Sequence, residues 1–458
     1  MMIKISLRKE LIRLLGQEGI SDAMEERICY AYDATRENRL PDAVVFPETV
    51  MQISGIMKLA NREKIPVVPR GAGSGFSGGS LPVSGGLVMA MKNFDRIVEI
   101  DSDNLQAVVE PAVVTSHLQA EVEKIGLFYP PDPASMNFST IGGNIAENSG
   151  GMRAVKYGVT KDYVMGLEVV LPDGEIIHSG SKCVKDVVGY NLTQLFVGSE
   201  GTLGIITKAI LKLLPLPETR ETLTAAFSSM QTAGKTVSDI IRNRIIPTTT
   251  EFMDKYAIRL VEDYLHLGLP LDAEALLLIE TDGDAEQAEK NIRRVKAVCE
   301  ANMAVEIRIA RNEKERNDLW KARRSVSTSL GKLGAVKVNE DIVVPRSRVP
   351  DIIEKIEEIR EKHNVLIVNF GHAGDGNIHV NMMSNRNEED LERVHEAAGE
   401  IFRAAIDMGG RISGEHGIGI TKRNYIGWNI EAPTLNLMKK IKKLFDPNNI
   451  LNPGKMFP

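Results

Sequence analysis

Between two short apolar runs at residues 65–69 and 86–91 the chain reads Pro69-Arg70-Gly71-Ala72-Gly73-Ser74-Gly75-Phe76-Ser77-Gly78-Gly79. With so few side chains in the way, the backbone N–H groups of such a loop can turn inward and form a concave nest for a diphosphate. No Gly-Lys-Ser/Thr follows, so the loop is not of the Walker type. The next apolar run reads as a strand rather than a helix, which excludes the dinucleotide fingerprint of parallel α/β folds. A dinucleotide held by some other fold remains, beside the plainer reading of a glycine-rich surface turn.

Two further stretches shift that balance. Pro131-Asp132-Pro133 leads into Ser139-Thr140-Ile141-Gly142-Gly143-Asn144-Ile145-Ala146-Glu147-Asn148-Ser149-Gly150-Gly151, and Gly198-Ser199-Glu200-Gly201-Thr202-Leu203-Gly204-Ile205-Ile206-Thr207 follows. Three runs of small residues within one half of the chain are hard to explain as turns, because each lets backbone approach a flat ligand closely. They lie in a region, 40–217, that reads as short apolar strands punctuated by Gly and Pro, with few long helices. One hairpin is explicit: 167–171, the turn Pro172-Asp173-Gly174, then 175–178.

Pro215-Leu216-Pro217 breaks this pattern. From 218 to about 422, strand-like segments (276–280, 304–310) alternate with helical ones (285–301, 349–363), and an amphipathic helix is expected at 432–445. A chain of 458 residues exceeds one hydrophobic core. The expected division is an N-terminal helical segment (1–39), a cofactor domain (40–217), an α+β domain (218–422) and a C-terminal helix and tail (423–458).

The formal net charge is -6, with acidic and basic residues well mixed, so no basic field invites nucleic acid. Residues 1–16 predict a short amphipathic helix without an apolar signal region, and no run reaches the ~20 apolar residues of a membrane span. A cytoplasmic protein is expected, reaching a membrane only through a partner. Cys29, Cys183 and Cys299 are isolated, so the chain is expected to carry no iron-sulfur cluster of its own.

A second constellation lies at 365–381, where an apolar strand runs into Gly371-His372-Ala373-Gly374-Asp375-Gly376-Asn377-Ile378-His379-Val380-Asn381. Alternation on a strand sends His379 and Asn381 to one face, and the tight turn lets His372 fold back toward His379. Far along the chain, Ser413-Gly414-Glu415-His416-Gly417 supplies a carboxylate and another imidazole. Two His and one Glu with open positions suit Zn, Mn or Fe. Trp320-Lys321-Ala322-Arg323-Arg324 offers a guanidinium for a carboxylate, although a solvated helix face explains it as well.

These motifs resemble the PCMH-type FAD-binding domain of the vanillyl-alcohol oxidase superfamily. From about residue 41 to the C-terminus the chain resembles that superfamily's branch of D-lactate dehydrogenases, glycolate oxidase FAD subunits and D-2-hydroxyglutarate dehydrogenases. The resemblance implies an α+β chain: the FAD domain, a ferredoxin-like substrate or cap domain, and a C-terminal helix packing back toward the FAD site. By that likeness Arg70 to Ser77 cradle the diphosphate, Thr140 to Asn148 and Gly201 to Ile206 line adenosine and isoalloxazine, and Pro131, Gly150, Glu200 and Asn452 add contacts. Relatives with covalent flavin often carry a His in the first loop. This loop has none, so non-covalent FAD is expected.

The same likeness makes His372, His379 and Glu415 ligands of a divalent metal, His416 the base, and Arg323 and Asn381 further catalytic residues. The implied reaction is oxidation of a small 2-hydroxy acid, D-lactate or glycolate favoured, by metal-assisted removal of the hydroxyl proton and hydride transfer to flavin N5. Electrons would pass to an iron-sulfur subunit, an electron-transfer flavoprotein or a quinone, and an oligomer is compatible with this. The hydroxyglutarate branch has a Lys where Asn339 stands before Asp341, which favours a monocarboxylic substrate. The alternatives are a D-2-hydroxyglutarate dehydrogenase and an FAD subunit of an electron-transfer complex without its own substrate chemistry.

Overall fold

The computed structural model describes residues 4–333, 336–384 and 388–458, so Met1 to Ile3 of the N-terminal segment lie outside the described residues. Two compact units are formed. The first comprises Met1–Gly150, Val159–Leu216 and Glu415–Pro458, and the second Gly151–Gly158 and Pro217–Gly414.

In the first unit a four-stranded sheet has the order Ile20–Ser21, Ala43–Val45, Leu87–Ala90, Val67–Arg70. Its last three strands are mutually parallel, so the chain must cross over between them, and the helix Val50–Glu63 makes one crossover. Thr49 starts that helix through a capping box with Gln52. Ile53, Ile56, Met57 and Ala60 then face a core shared with Val45, Val67 and Met89, against which Leu7 and Leu11 of the helix Ile5–Leu15 also pack. Five antiparallel strands form a second sheet, in the order Ile97–Asp101, Gln106–Val109, Ile205–Lys212, Val164–Val170, Ile176–Gly180. Its last pair is the expected Asp-Gly hairpin.

The end of the chain closes this unit. Val67 N–H donates to Ile450 O at 2.8 Å and Asn452 N–H to Val67 O at 2.8 Å. Lys455 is buried, which brings its ammonium down to about 8, and it donates to Leu81 O at 2.5 Å and Asn452 Oδ1 at 3.1 Å.

The second unit is built on a seven-stranded antiparallel sheet in the order Glu306–Ile309, Thr219–Phe227, Ala275–Gly283, Thr249–Asp254, Leu366–His372, Asn377–Ser384, Val336–Val343. Met253, Leu276, Val368 and Phe370 pack against Ala257, Ile258 and Val261 of the helix Lys255–Leu265 and against Ala322 and Val326 of Glu313–Leu330. The helices Ala285–Ala301, Met230–Arg242, Val349–His363 and Glu388–Asp407 form a further layer in that order, each touching the next. Among the described residues no helix is long and apolar enough to cross a membrane.

Candidate active site

The three small-residue stretches converge within the first unit on one groove, whose walls include 69–76, 139–147, 199–206, Glu415, His416 and Asn452. Its shape follows from close backbone packing. A Cβ on Gly71 would come within 2.4 Å of Thr140 Oγ1. One on Gly73, where φ is +67°, would strike the Arg70 guanidinium at 2.2 Å. Gly75 meets nothing within 4 Å, so a side chain there would have room. Arg70 itself is buried. It donates to Tyr32 O at 2.7 Å and Ser80 Oγ at 3.2 Å, locking the loop from behind.

Asn144 donates to Thr115 Oγ1 at 2.7 Å, and Thr140 caps the helix Ile141–Glu147. Glu200, held at a positive φ of 51°, accepts from Ile418 and Gly419 N–H, both at 2.7 Å. Burial pushes its carboxyl above the usual range. Asn452 donates to Gly79 O at 2.9 Å and Glu200 O at 2.8 Å, joining two walls to the C-terminal segment. His416 also lines the groove, its ring 5.0 Å from that of Phe76.

Ala72, Ser74, Gly142, Gly143, Gly201 and Ile206 line the groove, as do Arg70, Gly71, Gly73, Gly75, Thr140, Asn144, Glu200 and Asn452. Four other expected contacts are not among the residues that line the groove. Ser77 O accepts from Ile420 N–H at 2.8 Å, and Pro131 O accepts from Gln119 at 2.9 Å. Asn148 ends the helix Ile141–Glu147 in the left-handed region. A Cβ on Gly150 would lie 3.1 Å from Glu415 Oε2.

In the second unit the turn after Leu366–His372 brings His372 and His379 together, Nε2 to Nε2 at 3.3 Å. Both are buried. Glu251, on the neighbouring strand in register with His372, is fully buried and takes the other side of that imidazole, with Oε1 2.7 Å from Nδ1. An ionised carboxylate can only accept, so Nδ1 carries the proton and Nε2 presents its lone pair. Arg323 Nη2 lies 2.6 Å from Glu251 Oε2, a contact too poorly aligned to count as a hydrogen bond. The Arg323 guanidinium also stacks over Phe370 at 4.8 Å.

Asn381 donates to Val368 O and His379 O, each at 3.2 Å. Asp341 faces His379 across the strand pair Val336–Val343 and Asn377–Ser384. It accepts from Ser413 Oγ at 3.0 Å and Gly414 N–H at 2.8 Å, which fixes the turn that Glu415 directly follows.

Glu251 escaped sequence reasoning. Its signal was a lone carboxylate inside the β-branched run Thr248-Thr249-Thr250-Glu251-Phe252-Met253, where a charge on a buried strand demands a partner.

A groove walled by glycine backbone suits a dinucleotide, and the likeness to known proteins makes the chain an FAD-dependent oxidoreductase. Comparison with known proteins gives the lineage. Residues 41–180 match the FAD binding domain family, and residues 216–456 match the C-terminal domain of FAD linked oxidases. Glycolate oxidase subunit GlcD of Bacillus subtilis (strain 168) is 48% identical over 458 residues, 100% of this chain and 97% of that protein. A D-lactate dehydrogenase of Anaerostipes hadrus is 34% identical, over 95% of this chain and 94% of its own. The fold is also that of p-cresol methylhydroxylase, with a TM-score of 0.80 at 19% identity over 98% of this chain and 96% of that one. The chain belongs to the FAD linked oxidases.

Proposed function

We propose that the chain oxidises a small 2-hydroxy acid, D-lactate or glycolate foremost, to the 2-oxo acid. The observation that carries this reading is the buried His372–His379 pair backed by Glu251 and Arg323, a polar cluster that a simple electron relay does not need. The names of the relatives, glycolate oxidase subunit and D-lactate dehydrogenase, point the same way.

FAD, when bound, supplies the two-electron acceptor. The groove suits it, since Gly75 leaves open the space that a Cβ would take. With no histidine in loop 69–79, the flavin is proposed to be held without a covalent link. The donor set suits a divalent cation: two nitrogens about 2.1 Å from one tetrahedral ion stand about 3.4 Å apart, against the 3.3 Å between the imidazoles. Glu415 is proposed as the third ligand. Such a cation supplies Lewis acidity toward the substrate's oxygens.

The chain's own residues do the rest in this reading. Glu251 fixes the His372 tautomer and orientation, as carboxylates behind ligating imidazoles do. Arg323 offers its cation to the substrate carboxylate, its own charge balanced by Glu251. Asn381 steadies the backbone of His379, and His416 on the groove takes the hydroxyl proton at a pH near neutral. Lys337 Nζ is bonded to Ser327 Oγ at 3.0 Å, and Asn339 brings no charge. A second substrate carboxylate thus lacks a dedicated cation, which supports a monocarboxylic acid. Electrons are proposed to leave through a protein partner, an iron-sulfur subunit or an electron-transfer flavoprotein, or through a quinone. The word subunit in the relatives' names supports the first.

The test is anaerobic flavin bleaching of FAD-loaded protein by a panel of D- and L-2-hydroxy acids, with metal analysis of the same sample. D-lactate or glycolate should bleach it rapidly. His379→Ala should lose both bleaching and bound metal while keeping the oxidised flavin spectrum, and His416→Ala should lose bleaching alone. A protein that no hydroxy acid reduces would sink the reading.

A further inference from the structure

A second groove lies in the second unit, bounded by the starts of the helices Met230–Arg242 and Lys255–Leu265 and by one face of Val349–His363. Its walls carry the carboxylates of Asp254, Glu274, Glu354, Glu357, Glu358 and Glu361, with Lys255 the single lysine or arginine among its lining residues. Several are already engaged: Glu274 with Lys255 at 2.9 Å, Glu358 with Lys355 at 2.6 Å, and Glu357 with Arg360. Glu354 and Glu361 make no ion pair or side-chain hydrogen bond among the described residues. They are seven positions apart, close to two helical turns, so they share a face about 10 Å apart.

A surface strip of acids would ordinarily be a solvated face. The inner wall argues otherwise. Asn369 is 5% exposed, lines the groove, and its Oδ1 accepts no hydrogen bond among the described residues. An amide oxygen that deep calls for a donor. Beside it stands Asp254, which accepts Asn369 N–H at 2.6 Å. The groove therefore asks for hydrogen-bond donors at its inner end and positive charge along its length. Tyr256, Pro350 and Ile353 give it apolar wall between them.

We propose that this groove binds a linear polyamine. Several ammonium groups joined by methylene spacers match a buried acceptor, two separated carboxylates and the apolar surface linking them. One divalent ion does not, because its oxygen ligands lie about 2.0–2.6 Å from it, far too close to bridge Glu354 and Glu361. An anion is excluded by the field of the carboxylates.

Spermidine titrated calorimetrically into FAD-loaded protein, at fixed ionic strength of about 0.15 M to screen diffuse attraction, tests the assignment. Saturable one-site binding is expected. The double variant Glu354→Gln/Glu361→Gln, altered only at exposed positions, should bind on the order of tenfold more weakly with hydroxy-acid turnover unchanged. Absence of saturable binding, equal affinity in the double variant, or equal occupancy by magnesium chloride would each overturn it.

Discussion

Glu251 decides what the two side chains proposed for metal and substrate, His372 and Arg323, can do. Fully buried between His372 Nδ1 and Arg323, its charge sets the imidazole's tautomer and offsets a guanidinium that is only 6% exposed. Glu251→Gln keeps the volume and removes the charge. That leaves a buried cation uncompensated and lets the amide donate to Nδ1, which favours the wrong tautomer. The expected outcome is a 10–100-fold loss of metal affinity or of flavin reduction rate, read by metal analysis and stopped-flow bleaching, with the flavin spectrum retained. Wild-type values on both counts would remove Glu251 from the machinery. In the first unit, Gly75 meets open space while Gly73 is wedged against Arg70 at positive φ. Gly75→Val should therefore fold with an unchanged melting temperature in the absence of FAD yet bind the cofactor at least tenfold more weakly by fluorescence titration. A Gly75→Val protein with full flavin affinity would mean that the groove is not the cofactor's bed.

Strand Thr249–Asp254 carries Glu251 near its middle and ends on Asp254, which starts the helix Lys255–Leu265 by accepting Ala257 N–H at 2.8 Å. Burial raises the Asp254 carboxyl to about 7, whereas in an unfolded chain it titrates near 3.9. Between those values the folded protein holds a proton that the unfolded chain has released, so this group's contribution to stability falls as pH rises from about 4 to 7 and is flat beyond. Asp254→Asn keeps an acceptor for the helix start and cannot titrate. The difference in melting temperature, wild type minus variant, should shrink steadily across that window in calorimetry. Parallel curves would show that Asp254 is ionised throughout.

Elements of this kind differ in how openly the sequence declared them. The hairpin at Pro172-Asp173-Gly174 and the helices Ala285–Ala301, Val349–His363 and Ala432–Phe445 stood out because local turn chemistry and a 3.6-residue period specify them without help. The helix Val50–Glu63 was hidden in a region that reads as strands, although Thr49 and Gln52 announce its capping box. Ile141–Glu147 was masked by the paired glycines Gly142 and Gly143, which cost helix stability and are retained where a Cβ on Gly142 would strike Pro111 at 2.5 Å. The meeting of His372 with His379 was legible from one tight turn, whereas Glu251 is 121 residues from its histidine and only the sheet order makes them neighbours.

At the scale of the whole molecule, the chain leaves the first unit after Leu216 and re-enters it at Glu415, so the groove proposed for the flavin is assembled from both ends of the sequence. Lys442 in the helix Ala432–Phe445 donates to Thr202 O at 2.9 Å and Leu451 O at 2.8 Å, and Asn452 spans two walls. Residues 415–420 and 446–452 are thus held by the same hydrogen bonds that shape 69–79 and 199–206. A ligand that binds only the folded groove stabilises it by RT ln(1 + [L]/Kd), about 2.7 kcal/mol at a hundredfold excess over Kd, and opening that needs the groove to come apart slows by the corresponding factor of about 100. Hydrogen exchange with and without FAD should accordingly show protection appearing together in 69–80, 139–148, 199–206 and 415–420, although these segments lie as far apart as residues 69 and 420 of the chain. Protection confined to the N-terminal segments would mean that the returning C-terminal stretch is no part of the cofactor's bed, and His416 would then lose its claim to the proton.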